Sequence, residues 1–104
     1  MNYDIIAAAE NLAFWVGLNG VAFAEWVLEI MSTIEIEEHE FSIADYFTAD
    51  ELKEHWDDSY DLTINWLNKP LNTKVEGNYK ISLNTLTFWM TVGIIAGIIK
   101  GRNM

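Results

Sequence analysis

The sequence predicts a single α+β domain over residues 1–104: N-terminal helices, short acidic helices, a three-stranded antiparallel meander and an apolar C-terminal helix. Three observations carry this. Apolar residues dominate 3–32, with the helix formers Ala7, Ala8 and Ala9 among them; the hydrophobic period drops to two over 60–66; and 86–99 is almost wholly apolar. A run of helices, then strands, then a helix is the α+β pattern.

Composition agrees. A chain of 104 residues suits one domain, and 51% apolar residues with one proline mark it as globular. It has no cysteine, which excludes a disulfide framework and any thiolate metal site. The start Met1-Asn2-Tyr3-Asp4 lacks the basic segment of a signal peptide, so the expected location is the cytoplasm.

The first helix is expected over 3–16, with Asp4 in the first turn where the helix dipole favours a carboxylate. Gly17-Leu18-Asn19-Gly20 breaks it, and a second helix follows over 21–32. Polar residues on these helices fall on a narrow stripe containing Glu25, Glu29 and Ser32, so most of their circumference needs cover. Residues 33–41 fit either a strand, because Ile34 and Ile36 alternate with acids, or a helical extension. Ser42-Ile43-Ala44-Asp45 starts a short helix over 43–47. Thr48-Ala49-Asp50-Glu51 fits a capping box at the head of a firmer helix over 49–57. Tyr60, Leu62, Ile64 and Trp66 alternate with polar residues as a half-buried strand does, placing Trp66 inward. Gly77-Asn78 marks a hairpin between strands at 73–76 and 79–83. Asn84 is expected to cap the last helix, over 85–100, which ends at Gly101 beside Lys100 and Arg102.

That last helix raises the question of a membrane. Gly93, Gly97 and Gly101 stand four apart, the spacing that lets two helices approach closely. Residues 85–99 span only about 22 Å, against roughly 30 Å for a bilayer core. The domain's own core, a second copy of the chain and lipid are the three covers to weigh, with the core first and lipid last.

Charge is unevenly placed. Residues 1–34 carry four acids and no basic residue, for −4; residues 35–61 carry eleven acids against Lys53, for −10; residues 62–104 carry five basic residues against Glu76, for +4. The middle segment therefore equals the whole net charge. Direct binding to nucleic acid is not expected, because phosphate contacts need clustered Lys and Arg.

Motifs for chemistry are sparse. Glu35 with His39, and Glu51 with His55, would each share a helical face, but Glu-x-x-His and His-Glu-x-x-His are both absent, and two surface histidines among acids is the simpler reading. No metal or cofactor is expected. Ser59, His55 and Asp58 can be assembled into a triad on paper, as in almost any sequence, and there is no glycine-rich phosphate loop. An enzyme is not expected. Trp15, Trp26, Trp66 and Trp89 are read as core. Trp56, flanked by acids, is either an inward anchor with Leu52 or an exposed aromatic at the centre of a contact surface.

Eleven carboxylates in 27 residues repel one another. Solubility is one reason to keep them, and recognition of a basic protein is the other. Ser42-Ile43-Ala44-Asp45-Tyr46 resembles a helix-start segment of nuclease-colicin immunity proteins, over five residues. The paired tyrosines and proline of that family are missing, so no residue role is carried over. In general type the chain is similar to small acidic inhibitors: phage-encoded anti-restriction and anti-CRISPR proteins, and toxin-immunity proteins. The functional expectation is a non-enzymatic inhibitor or nucleic-acid-mimicking decoy that binds a basic protein. Its contacts would be Asp50, Glu51, Glu54, Asp57, Asp58, Glu38 and Glu40, with Trp56 as anchor. The alternative is a homo-oligomeric structural protein meeting through Gly93 and Gly97, or a small membrane-associated protein using the same helix.

Overall fold

The computed structural model describes residues 12–68 and 76–103, and these are mostly helical with one two-stranded antiparallel sheet. The order is α1 (Leu12–Gly17), α2 (Gly20–Trp26), a wider π-helical turn (Val27–Met31), β1 (Thr33–Ile36), β2 (His39–Ser42), a 3-10 turn (Ile43–Asp45), α3 (Ala49–Asn68) and α4 (Glu76–Arg102). The α+β class is compatible with this arrangement.

The break between α1 and α2 falls where the sequence places it. Asn19 is extended, and its Oδ1 accepts the Ala22 amide at 3.0 Å, which caps α2. Gly20 follows because α3 passes close by. A Cβ built on it would lie 2.8 Å from Lys53 Cγ and 2.9 Å from Asp57 Oδ1, so a side chain there pushes the two helices apart. Ser32, at φ 53°, ends the helical run and turns the chain into β1.

The ambiguous segment 33–41 is a hairpin. Ile34 pairs with Phe41 and Ile36 with His39 on one face, while Thr33 pairs with Ser42 and Glu35 with Glu40 on the other. Its two-residue turn, Glu37-Glu38, has φ of 51° and 70°. Two positive φ values are what a type I′ turn requires. The 3-10 turn then delivers Thr48, whose reciprocal hydrogen bonds with Glu51 (2.9 and 3.2 Å) start α3 as the capping box predicts.

The expected three-stranded meander gives way to helix. Residues 60–66 continue α3, and 76–83 begin α4, while 73–75 lie outside the described residues. The alternation of Tyr60, Leu62, Ile64 and Trp66 is coincidental with a helical pattern whose inward residues are Leu52, Trp56, Ser59 and Thr63. That seam uses small hydroxyl side chains against α4, so the apolar period of two carries no strand. Trp66 is consequently 73% exposed, and Trp89 is 38% exposed; neither is the core residue expected. Asn84 lies inside α4 rather than at its start.

Phe88 is the hub of the core. It is fully buried and meets Trp15, Phe23 and Trp26 in edge-on or tilted contacts at centroid distances of 5.4, 5.8 and 5.6 Å. Phe23 in turn packs on Trp56 at 5.1 Å, linking α2 to α3. Further along α4, Val92, Ile95 and Ile99 extend the same core.

The middle of α4 buries small hydroxyl side chains and exposes larger apolar ones. Thr87 and Thr91 are buried, their hydroxyls donating to the Leu83 and Thr87 carbonyls at 2.8 and 2.7 Å, while Leu86, Trp89 and Met90 are exposed. A threonine hydroxyl satisfied by its own helix loses little on burial. At 27 residues α4 is about 40 Å long, and Leu83–Arg102 is long and apolar enough by length and composition to cross a membrane. The shortness argued from 85–99 alone does not hold for the helix as formed.

Candidate functional site

The acidic surface is built mainly by α3. With Leu52, Trp56, Ser59 and Thr63 inward, Asp50, Glu54, Asp57, Asp58 and Asp61 are left on exposed faces of one helix. Asp50, Glu54, Asp58 and Asp61 are three or four residues apart in succession, so they stand about one helical turn from each other. Glu51 is occupied by the capping box, and the Thr48 backbone N–H holds its carboxyl below the usual range. Asp57 receives Lys53 Nζ at 2.8 Å, and this partner raises the lysine above its ordinary value. Asp50, Glu54, Asp58 and Asp61 have no ion-pair partner among the described residues.

The hairpin adds a second group of acids. Glu38 and Glu40 are exposed, and Glu40 faces Glu35 directly. Lys100 reaches Glu37 at 2.8 Å and lowers its carboxyl below the usual range. Nearby, Arg102 Nη1 donates to the Tyr46 carbonyl at 3.4 Å, and Asn103 Nδ2 donates to the Tyr46 hydroxyl at 2.9 Å. The C-terminal end of α4 thus ties the hairpin to the chain that leads into α3. Glu37 and Glu51 therefore lie near this end of α4, where Lys100 pairs with the first and Arg102 helps lower the carboxyl of the second.

Trp56 is not an exposed anchor among the acids. It is 2% exposed and stands beside Leu52 as the inward anchor of α3, so the reading of an exposed aromatic among acids is corrected. The inward spacing of four from Leu52 is the physical reason. Gly93 and Gly97 are on the exposed side of α4, and a Cβ at either would meet nothing within 4 Å.

The two histidines take up local contacts. His39 Nδ1 donates to the Glu37 carbonyl at 3.0 Å, and the His55 ring sits edge-on to Phe47 at 5.6 Å. No three His, Asp or Glu side chains among the described residues converge to hold a metal ion. Ser59, of the triad drawn from the sequence, is fully buried and its Oγ has no hydrogen-bond partner among the described residues. The contact between nucleophile and base that such a triad requires is therefore not made.

One feature escaped the sequence reading. A cleft of about 230 Å³ lies where the turn before α2 meets α3 and α4, lined in part by Asn19, Gly20, Trp56, Asp57, Tyr60 and Asn84. Asn84 is 1% exposed; its Nδ2 donates to the Trp15 carbonyl, and its Oδ1 has no hydrogen-bond partner among the described residues. A buried acceptor left unpaired costs about 1–3 kcal/mol, so an asparagine here needs a reason. Taken as a helix cap, Asn84 carried no signal of this role in the sequence. The chain matches no protein-family model, no curated protein and no solved structure.

Proposed function

We propose that the chain is a non-enzymatic acidic binding protein, acting in the cytoplasm as an inhibitor or decoy, that engages a basic protein through α3 and the hairpin. The observation that carries this reading is the row Asp50, Glu54, Asp58 and Asp61, exposed on one helix and without cationic partners among the described residues. Solubility alone would be served by acids interspersed with lysines. A concentrated row instead sets up a field that speeds the approach of a positively charged surface and makes binding sensitive to salt. A regular line of negative charges also suits a groove that normally holds nucleic-acid phosphates. The test reverses charge at Glu54 and Asp58 together. The double Lys variant is expected to keep its helical circular dichroism and lose its partner; binding that survives both the reversal and added salt overturns the reading.

A second reading is favoured by the exposed face of α4. Leu86, Trp89 and Met90 are each about 40% exposed, and Gly93 and Gly97 continue that side with open space where a side chain would begin. Such a face fits self-association. A Cβ at Gly97 has nothing within 4 Å, so Gly97→Leu is expected to keep the parent's helical circular dichroism while sedimentation reports on assembly. A dimer that dissociates in the variant supports this reading. A parent that sediments as a monomer, or a variant in the parent's state, counts against it, and co-sedimentation of the parent with lipid vesicles would point to a membrane surface instead.

A further inference from the structure

The cleft at the start of α2 presents acceptors and aromatic walls. On one side is Asn84, whose Nδ2 is committed to the Trp15 carbonyl and whose Oδ1 has no partner among the described residues. On the other is Asp57. Its Oδ2 takes Lys53 Nζ at 2.8 Å, and its Oδ1 lies 2.9 Å from where a Cβ on Gly20 would be. The absence of a side chain at Gly20 is thus what lets this carboxylate lie along the cleft. Asn19 offers little, since its Oδ1 accepts the Ala22 amide and its Nδ2 donates to the Gly17 carbonyl. The half-buried Tyr60 and the 2% exposed Trp56 border the same space.

A buried neutral acceptor, an anionic acceptor and two aromatic rings around one small space select for a flat cation rich in donors. Guanidinium has five N–H groups in a fixed fork, is weakly hydrated and stacks on aromatic faces. An ammonium is a compact, strongly hydrated point charge and stacks poorly. We propose that this cleft receives the guanidinium of an arginine side chain presented by the basic partner, with one edge donating to Asn84 Oδ1 and another to Asp57. The identity of the partner rests on the acidic-surface reading above; Asp57 is where the cleft and that surface join. The inference names a socket in what is otherwise a diffuse electrostatic contact, and so gives the surface a means of choosing arginine over lysine.

The test is a nuclear magnetic resonance titration of the full chain, labelled with nitrogen-15, using a blocked Gly-Arg-Gly peptide. Its lysine and citrulline counterparts serve as comparisons, citrulline keeping the shape and removing the charge. Saturable shifts of the Trp56 indole N–H and the Asn84 side-chain amide are expected with arginine, with citrulline roughly tenfold weaker. Asp57→Asn and Asn84→Ala are each expected to weaken arginine binding by a similar factor. Should Asn84→Ala fail to fold, Asp57→Asn carries the test, because that side chain is on the surface. Shifts at Trp56 and Asn84 that persist in the Glu54→Lys, Asp58→Lys protein support the socket even where the wider acidic surface proves inert. Shifts confined to the amides around Glu54 and Asp58 overturn the socket and leave the acidic surface standing. Equal response to arginine and citrulline, or no response at Trp56 and Asn84, also overturns it.

Discussion

Glu35 and Glu40 stand directly opposite each other across the hairpin of β1 and β2, on the face away from Ile34 and Phe41. Like charges in that relation weaken a strand pair. A chain that keeps such a pair on a hairpin of four residues per strand gives up local stability for surface charge. Glu40→Lys is therefore expected to stabilise the fold by roughly 0.5 kcal/mol while weakening partner binding. Urea denaturation checks the first half, and a midpoint no higher than the parent's contradicts it.

The turn of the same hairpin is strained by its residue choice. Glu38 sits at φ 70°, a left-handed conformation that glycine adopts freely. Glu38→Gly leaves the Glu37–Lys100 ion pair in place and is expected to raise stability by about 0.5 kcal/mol, after the larger entropy glycine loses on folding. A thermal midpoint that falls instead would mean the left-handed turn is not what limits this hairpin.

The capping box at Thr48 and Glu51 predicts a pH dependence with a definite sign. The Thr48 amide holds the Glu51 carboxyl below its ordinary value of 4.5, so the folded state favours the ionised form more than the unfolded chain does. Its contribution is then fully present above that ordinary value and is lost as pH falls through the lowered folded value. Glu51→Gln should be less stable than the parent at neutral pH, and the gap should narrow as pH drops from about 5 towards 3. Paired denaturation curves at the two ends of that range measure it; a gap that stays constant contradicts the assignment.

Phe88 connects three aromatic side chains of α1 and α2 to one point on α4. Removing its ring opens a cavity bordered by groups held apart by their own helices, which limits collapse. Phe88→Ala is expected to cost about 3–5 kcal/mol and to change the fluorescence of Trp15 and Trp26, which touch it. A loss under 1 kcal/mol would remove Phe88 from its place as hub.

Where residue chemistry acts locally, the sequence spoke clearly: the break at Gly17–Gly20, the capping box at Thr48 and the apolar C-terminal helix are all present. The errors arose where a contact between distant parts of the chain decides. Ser59 and Thr63 face α4 because two helices pack closely there, and nothing local to 60–66 distinguishes that from a strand with Leu62 and Trp66 inward. The hairpin at 33–42 was obscured for a different reason, since its turn is Glu-Glu where Asn-Gly would announce it. Of the proposed binding surface, the acids on α3 were visible as composition and spacing. The burial of Trp56, and the cleft that joins Asp57 to Asn84 across 27 residues, depend on packing.

The central claim is that the acidic face of α3 binds a basic protein. Its most direct measurement is affinity capture from the cells that produce the chain, with the parent and the Glu54→Lys, Asp58→Lys variant side by side and elution by a salt gradient. The account predicts a basic protein retained by the parent, released by salt and absent from the variant. The same proteins retained equally by both chains, or only further copies of the chain itself, would contradict it.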